Sequence, residues 1–259
     1  VGKTTVAAAI ALALARRGHE VHLSTTDPAA HLTEVLADAG DAHLEVSRID
    51  PDAATQAYRD RVMRTKGASL DEVGRAQLAE DLQSPCTEEV AVFSQFAHLV
   101  AQARRQFVVI DTAPTGHTLL LMDATGSYHR EIMRGLGTTQ GTVTPLMRLQ
   151  DPDLTRVIIV TLPDLTPVLE AEGLAADLRR ADITPWAWVV NQSLAAAHPT
   201  DRLLRARADA EAPHLARVRE LADRVALLPM LPVEPTGEDA LLALTSATGS
   251  TVTDRALVG

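Results

Sequence analysis

The sequence predicts an α/β protein, a mainly parallel β-sheet flanked by helices. Two observations carry this reading. Apolar runs of strand length alternate with amphipathic stretches of helix length, the order that βαβ units produce. Several of those runs are continuous in Val, Ile and Leu, as in strands covered on both faces. A third observation, a phosphate-binding motif that opens the first helix, also sets the candidate site.

TTVAAAIALALARR (4–17) reads as the first helix, stopped by Gly18. EVHLST (20–25) and HLEVSRI (43–49) read as the first two strands. Residues 52–105 form a helical region. Its last helix is TEEVAVFSQFAHLVAQARR (87–105), with Thr87 as N-cap and Glu88 and Glu89 in the first turn, where acids complement the helix dipole. FVVID (107–111) is a strand ending in an acid. RGLGTTQGTVTP (134–145) lacks a clear period and reads as a mobile loop of the lid kind. RVIIVTL (156–162) is the fourth strand, and Thr166-Pro167 opens a helix with Leu174 and Leu178 on one face. WAWVVN (186–191) and RVALLP (224–229) complete the strands. Trp186 and Trp188, two apart, share one strand face and read as packing residues. The polar tail 247–259 reads as fraying and disordered. No repeat or linker interrupts the pattern, so 1–259 reads as one domain.

Composition narrows the class. The chain is 46% hydrophobic but only 3% aromatic, which predicts an aliphatic core. A net charge of −10 argues against nucleic-acid or anionic-lipid surfaces as partners. The single cysteine, Cys86, can form neither an internal disulfide nor a zinc cage by itself, and a reducing cytosolic compartment fits. The longest apolar run, VAAAIALALA (6–15), is too short to span a bilayer. The sequence opens inside a motif with no signal-peptide pattern. It reads as a piece of a longer polypeptide, with a first strand and most of a phosphate loop before Val1.

That motif is VGKTT (1–5), the end of G-x-x-x-x-G-K-[ST]. A helix N-terminus offers unpaired N–H groups and a positive dipole end to phosphate. Lys3 would reach the phosphates, and the Thr4 hydroxyl would ligate Mg²⁺. Asp111, at the C-terminal end of a parallel strand, is where such a fold holds Mg²⁺. Asp27, within STTDPAAHL (24–32), either orients or deprotonates a water or caps the helix that follows. Cys86 reads as a buried filler, a reactive thiol or one ligand of a metal site.

VGKTT (1–5), STTDPAAHL (24–32), SPCTEE (84–89), DTAPTGHTLLLMDATGSYHREI (111–132), LQDPDLTRVIIVTLP (149–163), PWAWVVNQS (185–193) and PVEPTG (232–237) together resemble the arsenical pump-driving ATPases. That family includes the targeting ATPases for tail-anchored membrane proteins. The chain is most similar to the C-terminal half of the bacterial pump protein, which is two homologous halves in one polypeptide. The resemblance implies a P-loop NTPase fold of deviant Walker A (signal-recognition/MinD-like) type. It implies ATP and Mg²⁺, with Gly2, Lys3, Thr4 and Thr5 in the phosphate loop, Asp27 positioning the attacking water and Asp111 near Mg²⁺. It also implies Asn191 reading adenine and PVEPTG flanking the base. As a strand-end turn residue, Asn191 has a plainer reading.

The same resemblance implies As(III) or Sb(III) as an activator at the interface between two halves, with Cys86, Ser84 and His117 as this half's ligands. Soft trivalent metalloids favour thiolate, with imidazole in support. The implied partners are a second homologous half, fused or as a homodimer, a membrane arsenite permease and a metalloid-delivering chaperone. The implied location is cytoplasmic, peripheral at the inner face of the plasma membrane. Two other functions of the wider group compete. A tail-anchor targeting ATPase needs a hydrophobic groove and commonly a C-x-x-C, and this chain has no C-x-x-C. A partitioning or positioning ATPase needs a DNA or membrane surface, which the net charge of −10 disfavours.

Overall fold

The computed structural model describes residues 1–27, 31–37, 39, 41–112, 145–246 and 251–254. Helix α1 (Lys3–Ala15) is apolar all round rather than along one stripe, and a helix of that kind must be buried on every side. Its Ala8, Ala9 and Leu12 belong to one core with Val21 and Leu23 of strand β1 (Val21–Thr25) and with Leu241 of helix α10 (Glu238–Thr245). Its Val6 and Ile10 join a second core with Val189 and Leu228. The chain leaves α1 through Gly18, whose φ of 83° is a left-handed position that glycine takes without strain.

β1 lies between β2 (Leu44–Arg48) and β3 (Phe107–Asp111) in a three-stranded parallel sheet. A four-stranded sheet follows the order β4 (Ile158–Thr161), β5 (Ala187–Ser193), β6 (Arg224–Pro229), β7 (Thr251–Asp254). Within it β4, β5 and β6 are parallel and β7 is antiparallel to β6. Every strand read from the sequence is present, with ends moved by at most two residues. β7 is an addition inside the segment read as a disordered tail. Its Thr-Val-Thr is β-branched, and it pairs with the free edge of β6, a contact no local pattern reveals.

The expected helical region holds α2 (Leu32–Leu36) before it, then α3 (Pro51–Thr65), α4 (Glu72–Asp81) and α5 (Pro85–Gln102). Asp50 caps α3, its carboxylate accepting from the N–H groups of Asp52 and Ala53. α5 starts earlier than the sequence reading. Ser84, not Thr87, occupies the N-cap position, because Pro85 fits the first helical position where its missing N–H costs nothing. The short α6 (Pro145–Gln150) begins at the end of the stretch read as a lid loop, of which 134–144 lie outside the described residues.

The second half is built on α7 (Leu165–Arg180) and α9 (Arg202–Leu221), joined to β5 by the short α8 (Leu194–Ala197). Val168, Ala171, Ala175 and Leu178 form the buried face of α7 and pack with Trp188, Val190, Leu215 and Val218. Trp188 is a core residue, as expected. Trp186 is not: it precedes β5 and is 40% exposed, with the Arg224 and Arg156 guanidinium groups 5.3 and 6.0 Å from its ring. The parallel strands deliver their C-terminal ends to one side of the molecule, where α1 begins, and open α/β sheets bind ligands at such ends.

Candidate functional site

The site starts at Gly2, which precedes α1 with φ 85° and ψ 22°. Two facts demand glycine there. The conformation is left-handed, and a Cβ would lie 2.2 Å from Asn191 Nδ2. Asn191 Nδ2 donates to the carbonyl of Val1 at 3.1 Å. The sequence reading ended the strand at Asn191, but β5 runs on to Ser193. Its register against β6 shifts between Val190 and Ser193, with Gln192 at φ 57°. A bulge of this sort re-aims side chains, and here Asn191 meets the start of α1.

On the other side of the α1 N-terminus stands Asp111. Thr4 Oγ1 donates to its Oδ2 at 2.8 Å, and Thr25 Oγ1 donates to the same oxygen at 3.0 Å. The Asp27 N–H donates to Thr25 Oγ1 at 3.1 Å, and the Thr26 N–H donates to the Asp111 carbonyl at 2.9 Å. Strand register makes this possible, since Thr25 and Asp111 are direct partners across β1 and β3. Thr4, Thr25, Asp27 and Asp111 therefore form one connected group. Thr25 was not among the residues singled out from sequence. Its position in Ser-Thr-Thr-Asp, two residues before the candidate acid, is the available signal.

Asp111 is 2% exposed, and its second oxygen, Oδ1, is buried without a hydrogen-bond partner. Burial pushes the Asp111 carboxyl above its ordinary pKa. The hydroxyls of Thr4 and Thr25 and the charge of Lys3 oppose that shift, and the charge of Asp27 adds to it. A buried acceptor left unpaired costs about 1–3 kcal/mol. A hard divalent cation takes oxygen ligands of this kind, so the donor set of Asp111 and the Thr4 hydroxyl fits Mg²⁺. Asp27 is not the cap of α2, whose N-cap position is His31.

Between the α1 start and the ends of β5 and β6 lies a cavity of about 480 Å³. Gly2 and Thr5 line one side, Asn191 and Met230 another, and Val233, Glu234 and Pro235 of the PVEPTG segment close it. Its size suits a small-molecule ligand. The corner beside it is held by Glu211, which sequence reading missed. Glu211 is buried in α9, its carboxylate accepting from Ser193 Oγ at 2.8 Å and from the N–H groups of Leu194 and Ala195 at 2.8 and 3.0 Å. The available signal was spacing: Glu211 shares the buried face of α9 with Leu215 and Val218.

Of the three expected metalloid ligands, only the Ser84 side chain lies among the described residues. Ser84 stands at the N-cap position of α5 without a side-chain bond to its backbone N–H groups, its Oγ 3.4 Å from Thr87 Oγ1. Cys86 lies in the first turn of α5, and its side chain is outside what the structure describes, as is all of His117. Among the described residues no three His, Cys, Asp or Glu side chains form a group able to hold a metal ion, and no helix is long and apolar enough to cross a membrane.

The family model of the anion-transporting ATPases matches residues 1–150 and 147–248. The chain belongs to the anion-transporting ATPase family. Among curated proteins, an arsenical pump-driving ATPase of Escherichia coli is 56% identical over 245 residues, covering 94% of this chain and 42% of the relative. An arsenical pump-driving ATPase of Acidiphilium multivorum is 54% identical, covering 95% and 42%. More distant is ATPase GET3A of Arabidopsis thaliana, 26% identical over 94% of this chain and 79% of its own length. The chain thus spans less than half the length of the two bacterial relatives. Family membership agrees with the parallel α/β architecture.

Proposed function

We propose that this polypeptide binds Mg·ATP at the start of α1 and hydrolyses it to drive arsenite or antimonite efflux with a membrane permease. The observation that carries the nucleotide site is the buried group of Thr4, Thr25 and Asp111 with its unpaired Oδ1, set at a helix N-terminus. The pump reading rests on the 56% identity to an arsenical pump-driving ATPase, against 26% to ATPase GET3A.

In this mechanism the N–H groups at the start of α1 and the Lys3 ammonium hold the phosphates. Thr4 and Asp111 hold Mg²⁺, which when bound neutralises phosphate charge. Asp27 orients a water for in-line attack on the γ-phosphorus. The new P–O bond forms as the bond to the β-phosphate oxygen breaks, giving ADP and phosphate. Asn191 and the PVEPTG segment receive the adenine, with Asn191 Oδ1 accepting from its exocyclic amine. Cys86, Ser84 and His117 serve as this half's share of an interface site for As(III) or Sb(III), completed by a second homologous half. Coupling requires metalloid affinity to differ between nucleotide states.

The test is the ATPase rate of the intact polypeptide with and without antimonite, in wild type and Cys86→Ser. Stimulation in the wild type that the variant loses supports the pump reading. A wild-type rate indifferent to antimonite would sink it.

A further inference from the structure

The backbone pairing of β1 with its neighbours stops just before Asp27. The Thr25 carbonyl accepts from the Ile49 N–H at 3.0 Å, and the Thr26 N–H donates to the Asp111 carbonyl at 2.9 Å. The next N–H, that of Asp27, turns back to Thr25 Oγ1 at 3.1 Å. A hydroxyl that accepts from the N–H two residues ahead takes over where the ladder ends. The same hydroxyl donates to Asp111 Oδ2 at 3.0 Å. Its polarity is fixed by its partners. A backbone N–H only donates, an ionised carboxylate only accepts, and a hydroxyl has one proton and two lone pairs. Thr4 Oγ1 also donates to Oδ2, so both hydroxyls are spent on one oxygen, and Oδ1 is left without a partner among the described residues. Thr25 is 1% exposed, so bulk water does not stand in for either of its bonds. Its β-branch restricts χ1 and holds the hydroxyl between the two acids.

We infer that Thr25 is a positioning residue for ATP hydrolysis: its hydroxyl ties the backbone of Asp27 to the carboxylate of Asp111. The inference rests on the reading of this site as a Mg·ATP site, in which Asp27 orients the attacking water and Asp111 serves Mg²⁺. Thr25 touches neither nucleotide nor water in this role and acts through the two acids. Its tie sets the start of the Asp27 segment against Asp111 before any ligand arrives. Thr4 holds the same Oδ2, but Thr4 is also the hydroxyl proposed to ligate the cation. Thr25 has no such second duty, so orienting the Asp111 carboxylate falls to it. The effect belongs to the chemical step. The phosphates are held by the N–H groups of α1 and by Lys3, whereas Asp27 acts on the water. An interaction that matters at the transition state and not in ground-state binding appears in kcat and leaves KM in place.

The test compares wild type, Thr25→Val and Thr25→Ser in the intact polypeptide by two readouts. The first is hydrogen exchange at the Asp27 amide without nucleotide or cation, with the amide of the buried Leu23 in β1 as the internal reference for folding. Valine keeps the shape and removes the hydroxyl, so Asp27 exchange should rise about tenfold while Leu23 exchange stays within about twofold. Serine should restore the slow exchange. The second is steady-state ATPase kinetics. Thr25→Val should lower kcat about tenfold or more with KM for Mg·ATP within about twofold, and Thr25→Ser should recover kcat to within about threefold. Unchanged Asp27 exchange in the valine variant overturns the inference, as does a kcat loss equal in Val and Ser, or a change confined to KM. Leu23 exchange that rises together with that of Asp27 makes Thr25 a residue of general stability and also overturns it. A wild type that hydrolyses no ATP sinks the underlying ATPase reading instead, and the exchange readout still decides whether the tie exists.

Discussion

Replacing Glu211 tests how the site's outer corner is held. Its carboxylate accepts three hydrogen bonds, from Ser193 Oγ at 2.8 Å and from the N–H groups of Leu194 and Ala195 at 2.8 and 3.0 Å. Hydrogen bonds to a charged acceptor contribute about 1.5–3 kcal/mol each, and a buried donor left unpaired costs about 1–3 kcal/mol. The contributions are not additive, and removing the carboxylate also relieves its own burial cost. Glu211→Ala leaves the buried Leu194 without its acceptor and opens space for water beside Ala195. The net loss should be on the order of 3 kcal/mol. Glu211→Gln keeps one acceptor oxygen and turns an N–H₂ donor toward the remaining donors, for a loss of about 1–2 kcal/mol. Urea unfolding should therefore rank wild type, Gln, Ala, with unchanged slope. An alanine variant within about 0.5 kcal/mol of wild type would refute the reasoning.

Gly2→Ala meets a left-handed backbone and a Cβ 2.2 Å from Asn191 Nδ2, so it should cost about 1–2 kcal/mol locally and weaken Mg·ATP binding at least about tenfold. Asn191→Ala should reduce discrimination of ATP over GTP in competition binding while leaving the binding of inorganic phosphate unchanged. Burial raises the Asp111 pKa above its ordinary value of 3.8, so the folded state holds that proton more tightly than the unfolded state. Its contribution to stability is complete below that ordinary value and is lost as pH rises through the folded pKa. Denaturation of the cation-free protein over this window should show the loss, and Asp111→Asn should abolish it.

Features encoded in short stretches were legible in the sequence. Continuous apolar runs located β1 to β6, and VGKTT located the start of α1. Features that depend on distant segments were not. Thr25 joins the site only because strand register sets it opposite Asp111, 86 residues away. Glu211 joins through α9 packing back on the end of β5. β7 exists because β6 offers an edge, and Trp186 faces Arg156 and Arg224 because it falls one residue outside its strand. The α5 start was misplaced at Thr87 because Ser84 followed by Pro85 is the stronger opening.

The central claim is that Asp111 and Thr4 make the start of α1 a Mg²⁺-dependent nucleotide site. Calorimetric titration of the intact polypeptide with ATP, with and without Mg²⁺, tests it in wild type and Asp111→Asn. The account predicts that wild type binds Mg·ATP more tightly than metal-free ATP, and that the variant loses this preference while still binding metal-free ATP. A variant with the wild-type preference for Mg·ATP would contradict it.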